Sequence, residues 1–370
     1  MALTTLLKGQ LRFMNQYFDV LAVSSGGGTF DDVAKHEGVK TQALTMSRTI
    51  TPFKDLKSLF LLYKLFKKEK PFIVHTHTPK AGTLGMIAAK LAGVPHRLHT
   101  IAGLPLLITT GPKRLLLNIV EKITYACASK IYPNSFAMKD IIIKNKFTKE
   151  SKLKVIEKGS TNGVDTSHFD PNLFDEASKI KLQNELAINK EDTVFVFIGR
   201  IVKDKGMNEL MHTFAKLNLD YPNTKLLLVG PFEDHLNPLL PETYDLIKNH
   251  ESIIHVGYQK DVRPYFAISD ILAFPSYREG FPNVVMQAGS MGLVSIVTDI
   301  NGCNEIIENG MNGLIIPPKN ENALFEAMKY MINHPEERNN MANSSRSKIV
   351  KNYQQKIVWN ALLNEYQNLN

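Results

Sequence analysis

Segments that read as buried strands and segments that read as amphipathic helices alternate along almost the whole chain, and this alternation leaves few folds open. In the first half the strand candidates are residues 19–24, 41–44, 72–76, 97–101, 130–132 and 153–156. Helical patterns lie between them, such as 52–68 and 81–92, the latter stopped by Gly93. The rhythm repeats in the second half at 194–198, 225–229, 253–256, 271–274 and 294–297. Strands linked through helices run parallel, so the expected class is α/β with helix-covered parallel sheets. A length of 370 residues asks for two such domains rather than one. The polar segment 183–192 is the expected linker, which gives a first domain at 1–182, a second at 193–350 and a helical tail at 351–370.

Composition narrows the class. Cys127 and Cys303 are far apart and form neither a disulfide framework nor a metal spacing, which points to a reducing cytoplasm. The first residues are too short for a signal sequence, and no run reaches the ~18 apolar residues that span a bilayer. Charge is unevenly spread. Residues 1–180 carry 26 Lys and Arg against 14 Asp and Glu, whereas residues 181–370 carry 18 against 22. A basic first half faces an anionic partner. Lipid headgroups fit, with Phe136, Met138 and Ile141 to Ile143 among the lysines at 139, 144, 146, 149, 152, 154 and 158 as apolar contacts. A merely solvated basic face fits the same pattern. Nucleic acid is not expected, because no zinc spacing, stacking signature or recognition helix accompanies the charge.

Two strand–loop–helix junctions carry the chemistry. The apolar run 271–274 leads into Glu279-Gly280-Phe281-Pro282-Asn283-Val284-Val285-Met286-Gln287. A carboxylate here sits in a Gly/Pro turn ahead of a helix, where open α/β sheets hold nucleotides. Asn283 is placed to cap that helix, with Gln287 about one turn inside it. The run 194–198 leads into Gly199-Arg200-Ile201-Val202-Lys203-Asp204-Lys205-Gly206 and a second helix. Arg200 offers a planar fork, Lys205 a point charge and the helix start a dipole, which together suit a diphosphate. A solvated turn and ordinary loop cations are the bland alternatives.

Taken together these residues resemble the retaining family-4 glycosyltransferases of the GT-B fold. Gly199-Arg200, Lys205-Gly206 and Glu279-Gly280-Phe281 stand where that family has its diphosphate-binding Arg and Lys and the first Glu of an E-x7-E motif. Asn162-Gly163-Val164-Asp165, Gly257-Tyr258, Asp261-Val262, Ser269-Asp270 and Gly310 with Gly313 extend the likeness over nearly the whole chain. It looks like the enzymes that build capsule and O-antigen repeat units. One departure stands out: the second Glu of the motif is Gln287.

The resemblance implies two Rossmann-like domains facing across a cleft, with the last helix crossing back to the first domain. It implies transfer of a hexose or N-acetylhexosamine from a UDP-sugar, with retention, to a saccharide on a polyprenyl diphosphate at the inner face of a bacterial membrane. Arg200 and Lys205 would neutralise the leaving diphosphate. Glu279 would hold hydroxyls of the donor sugar and Gln287 would face the ribose. Gly199, Gly280, Phe281 and Pro282 would line the nucleotide-sugar site. His99, followed by Thr100-Ile101-Ala102-Gly103, matches the family's active-site His in the loop over the donor sugar. No cofactor or metal is expected, since the fixed cations replace one and no Asp-x-Asp motif occurs. Two rival readings share the fold: an epimerase of UDP-N-acetylhexosamine, and a nucleotide-binding protein without catalysis.

Other features carry less. His75, His77, His96 and His99 gather at two predicted strand ends, but no acid or Cys joins them as a metal set. His77 is either an acceptor-side residue or a plain loop histidine. Gly26-Gly27-Gly28 is a weak phosphate cradle and a good turn. In the resembled enzymes a strand precedes the segment matching residues 6–11, whereas only residues 1–5 precede it here. The first domain is therefore expected to lack that strand, through a start further upstream in the natural chain or an unusual closure of its sheet.

Overall fold

The computed structural model describes residues 2–46, 51–104, 106, 109–234 and 237–369. The chain divides into two compact units, residues 1–163 with 355–370 and residues 164–354. The division falls at Gly163–Val164, about twenty residues before the expected linker, and helix Glu176–Glu185 runs into the start of that polar segment. A polar helix face and a linker look alike in composition, which accounts for the displaced boundary.

The first unit runs α1 (Ala2–Thr5), α2 (Gln10–Met14), β1 (Leu21–Ser24), α3 (Gly28–Glu37), β2 (Lys40–Ala43), α4 (Pro52–Glu69), β3 (Ile73–Thr76), α5 (Pro79–Ala92), β4 (His96–Ile101), α6 (Gly111–Cys127), β5 (Lys130–Pro133) and α7 (Phe136–Lys144). The helices have readable causes. A proline opens each of α4, α5 and α6, and Gly93 closes α5 in the left-handed region at φ 80°. All strand pairs are parallel, but they form two sheets, β1-β2 and β3-β4-β5. Among the described residues β1 pairs only with β2, and β3 only with β4. Each therefore keeps one edge outside any ladder. Residues 2–5 are helical; Met1 lies outside the described residues.

The expected strand at 153–156 is a single bridge, Leu153 to Ile131, after a short 3₁₀ turn at Glu150–Lys152. Gly27 makes the turn between β1 and α3. Of the apolar residues expected to meet lipid, Met138 and Ile142 are fully buried, because α7 turns them into the core.

The second unit runs α8 (Glu176–Glu185), β6 (Thr193–Ile198), α9 (Met207–Asp220), β7 (Thr224–Val229), α10 (Pro241–Asn249), β8 (Ile253–His255), α11 (Arg263–Ala267), β9 (Ile271–Phe274), α12 (Asn283–Ser290), β10 (Val294–Thr298), α13 (Cys303–Ile306), β11 (Gly313–Ile316), α14 (Glu321–Asn333) and α15 (Pro335–Tyr353). Its six strands form one parallel sheet in the order β11-β10-β9-β6-β7-β8. From β6 the chain steps outward to β7 and β8, then returns to β9 on the other flank of β6. The order reverses between β6 and β9, the place where such sheets open a crevice at their carboxyl ends. Val194 to Phe197 are buried on both faces, and Phe197 stacks on Phe274 across the reversal at 5.9 Å. β11 escaped the sequence reading because its four residues follow a turn and contain a glycine.

The last helix, α16 (Gln355–Gln367), belongs to the first unit. Trp359 on it donates its indole N–H to Asn162 Oδ1 at 2.6 Å and packs on Phe13. Lys154 and Tyr132 both bond Glu365.

Candidate active site

The two junctions singled out in the sequence flank the reversal in the second sheet. The β6–α9 loop holds Gly199, Arg200 and Lys205; the β9–α12 loop holds Glu279 to Pro282. The loops touch as backbone. Gly206 has φ 73°, and a Cβ there would come within 2.1 Å of the Pro275 carbonyl oxygen. Only glycine permits that approach. It brings Lys205 onto Glu279, which lies 74 residues later, and their side chains form an ion pair, each about 15% exposed. Lys205 Nζ also lies 5.2 Å from the centre of the Phe274 ring.

Glu279 is held from several sides. Its Oε1 takes both Lys205 and the Ser276 hydroxyl, the latter at 2.8 Å. Asn301 Nδ2 donates to the carbonyls of Glu279 and Gly280 at 2.6 and 3.1 Å, which fixes the turn. The carboxylate is thus oriented by the loop, by β10's following turn and by its own ion pair. Arg200 is more exposed and pairs with Glu233 at 2.9 Å, across the carboxyl ends of β6 and β7. The cations therefore stand in two ion pairs, one largely buried and one more exposed.

The neighbouring residues differ from expectation in informative ways. Asn283 is the first helical residue rather than the cap; Pro282 takes the cap position, and no side chain caps α12. Phe281 is buried and packs against Tyr353 at 5.6 Å between ring centres, so it anchors the turn. Pro282 is buried as well. Gln287 sits half-buried one turn into α12, and its amide has no side-chain partner among the described residues. Asp270 serves the fold, since its Oδ2 accepts the Val194 N–H at 2.8 Å.

His99 lies inside β4, within the strand expected at 97–101 and not in the loop that the family resemblance implies. It is 3% exposed, with Nδ1 2.8 Å from the Thr76 hydroxyl and the ring pressed on α5 at Gly82. A Cβ at Gly82 would meet His99 Cε1 at 2.4 Å, so any larger residue there displaces the ring. Burial pushes the imidazole down to about 4 and His77 down to about 3. His75, stacked on His77 at 4.2 Å, is pushed well below the ordinary value by the same cause. At neutral pH these rings are uncharged. His96 stands apart against Phe72.

Sequence reasoning missed Ser276, Asn301 and Glu233. Asn301 had a signal: an Asn-Gly pair directly after an apolar strand marks a tight turn. Ser276 and Glu233 had none, because only the folded loops show which carboxylate or cation they meet.

The chain matches a family model described as "Glycosyl transferases group 1" over residues 178–348 and one described as "Glycosyl transferase 4-like" over residues 5–135. It is 32% identical over 364 residues to the capsular polysaccharide biosynthesis glycosyltransferase CapM of Staphylococcus aureus, covering 98% of this chain and 93% of that protein. The chain belongs to the family-4 glycosyltransferases. A second relative, a UDP-Gal:α-D-GlcNAc-diphosphoundecaprenol α-1,3-galactosyltransferase of Escherichia coli, is 30% identical over 343 residues, 92% of this chain and 86% of that one. Among solved structures, HepE of Anabaena in complex with UDP superimposes with a TM-score of 0.81 at 17% identity, over 97% of this chain and 95% of that one. The fold is GT-B, and the protein is a glycosyltransferase. Among the described residues no helix is long and apolar enough to cross a membrane.

Proposed function

We propose that this glycosyltransferase moves a hexosyl or N-acetylhexosaminyl group from a UDP-sugar, with retention, to a saccharide carried on a polyprenyl diphosphate. The setting is capsule or O-antigen synthesis, with the protein peripheral at the inner face of the cell membrane. The observation that carries the reading is the placing of two ion pairs, Lys205–Glu279 and Arg200–Glu233, at the carboxyl ends of β6, β7 and β9 of one sheet. The donor and acceptor classes named for the Escherichia coli relative, and the UDP held by the similar HepE structure, support it.

The chemistry follows from charge. The bond between the sugar C1 and the β-phosphate oxygen breaks, and negative charge grows on the diphosphate. Arg200 and Lys205 stabilise that charge, and no metal is required. The acceptor hydroxyl attacks C1 on the face the phosphate leaves, and its proton passes to the departing phosphate oxygen. UDP and a glycosidic bond of retained configuration result. Glu279 has Oε1 committed to Lys205 and Ser276, so Oε2 is the atom that takes a donor-sugar hydroxyl. Gln287 faces the ribose. His99 is a neutral ring that ties β4 to Thr76 on β3.

The test is UDP release from a panel of UDP-sugars, with and without a polyprenyl-diphosphate-linked saccharide. Release that requires the acceptor, with an α-linked product from an α-linked donor, is the expected result. Turnover of UDP-N-acetylhexosamine without acceptor identifies an epimerase, and binding without turnover identifies a non-catalytic protein.

A further inference from the structure

Helix α4 shows solvent a face that a soluble protein has no reason to keep. Its inward side is Ser58, Leu62 and Phe66. Its outward side, at helical spacing, begins with Phe53, Leu56, Phe60 and Leu61, which are 91, 66, 54 and 40% exposed. The same side continues as Lys64, Lys67 and Lys68, all exposed. Lys64 Nζ lies 4.6 Å from the centre of the Phe60 ring, so its stem runs along the apolar stripe while its charge stays at the rim. The one acid in the first turn, Asp55, is turned inward and neutralised by Lys80 at 2.6 Å.

Helix α6 repeats the pattern. Leu115, Leu116, Ile119 and Ile123 are between 45 and 64% exposed, while Tyr125 and Cys127 face the core. Lys113 and Lys122 flank the leucines and isoleucines. Helix α5 packs against both α4 and α6, so the two helices flank one neighbour. Monomeric proteins rarely leave so many large apolar side chains together in water.

We propose that this α4–α6 face is where the protein docks on an anionic lipid bilayer, with Phe53, Phe60, Leu116 and Ile119 entering the acyl boundary and the lysines on the headgroups. Aromatic and aliphatic side chains rimmed by lysine are the pattern of an interfacial surface. A second copy seated on this face would bring its lysine row towards like charge, and nucleic acid would leave the apolar stripe unmet. The βα order places the first turns of α5 and α6 after the carboxyl ends of β3 and β4, the same end of that sheet as His77. The choice of lipid over protein rests in part on the lipid-linked acceptor proposed above. The surface differs from the lysine series around α7, whose apolar residues Met138 and Ile142 are buried.

The experiment is co-sedimentation with vesicles of phosphatidylcholine, with and without phosphatidylglycerol. Such vesicles contain no acceptor, so the result stands whether or not sugar transfer proceeds as proposed. The unaltered protein is expected to bind phosphatidylglycerol vesicles at least tenfold more tightly than phosphatidylcholine alone. Phe53→Glu with Phe60→Glu, and separately Leu116→Glu with Ile119→Glu, should each weaken binding at least tenfold with unchanged melting temperature. Lys144→Glu with Lys146→Glu and Lys149→Glu should leave it. As a check that does not depend on charge insertion, Phe60→Trp should add emission that brominated lipid quenches. Full vesicle binding by the glutamate variants, or an unquenched Trp at position 60, overturns the proposal. So does a protein dimer in the absence of lipid that Phe60→Glu dissolves.

Discussion

The two units use the same strand–helix alphabet and arrive at different sheets. In the second, β6 has a neighbour on each side, and six strands share one hydrophobic core. In the first, among the described residues, two and three strands form separate sheets, and the buried apolar residues fall into four smaller clusters. A divided sheet has twice as many edges, and each edge leaves backbone groups outside a ladder. The undivided sheet is also the one that holds Lys205 against Glu279. Fixed charges stabilise a transition state only if they do not have to reorganise, so the catalytic role proposed for Lys205 would need a rigid support under that pair. The divided unit carries instead the apolar faces of α4 and α6, which need surface rather than stiffness.

Four measurements sharpen or break this contrast. The largest effect is expected in the continuous core. Phe197→Ala should cost about 3–5 kcal/mol in chemical unfolding of the second unit, because Phe197 is buried against Phe274 where the sheet reverses. A loss below 1 kcal/mol would mean the two halves of that sheet do not depend on each other. Next, Arg200→Ala and Lys205→Ala should each lower kcat/KM by on the order of 10²–10³. Lys205→Ala should also lower Tm, because it leaves Glu279 largely buried without its partner, whereas the more exposed Arg200 should be removable without that loss. Normal activity in the double variant would remove both from the site.

Acid should separate the units. His99 titrates at about 4 in the folded protein, below its unfolded value near 6.5, so the unfolded first unit binds protons first. That stability is complete above about pH 6.5 and is lost as pH falls towards 4, on the order of 3 kcal/mol from this ring. His75 and His77 act in the same direction. Hydrogen exchange at pH 5 should show β3 and β4 opening well before β6 and β9; equal protection would count against the divided sheet as the weaker one. The smallest effect is at Gln287. A carboxylate accepts from both ribose hydroxyls, so Gln287→Glu should tighten UDP by up to about 1 kcal/mol in calorimetry. Weaker binding there would mean the pocket is built for an amide.

Legibility in the sequence tracked burial. The runs at 194–198 and 271–274 were plain because strands covered on both faces are unbroken apolar text. Residues 153–156 are apolar except for Lys154 and form a single bridge, since whether an edge strand pairs depends on a partner the local sequence does not name. The loop cations and Glu279 could be picked out by type and position. Their pairing could not, because it depends on the close backbone approach at Gly206 and Pro275, far apart in the chain. His99 shows the reverse case: a residue that looked available for chemistry is packed beneath a helix.

One contact has a practical consequence. The chain has a single tryptophan, and Trp359 sits on α16 within the first unit, bonded to Asn162 and stacked near Phe13. Indole emission therefore reports on the first unit alone, while circular dichroism reports on both. Following the two signals through one titration reads the divided sheet and the continuous sheet separately, in the intact chain and without a label.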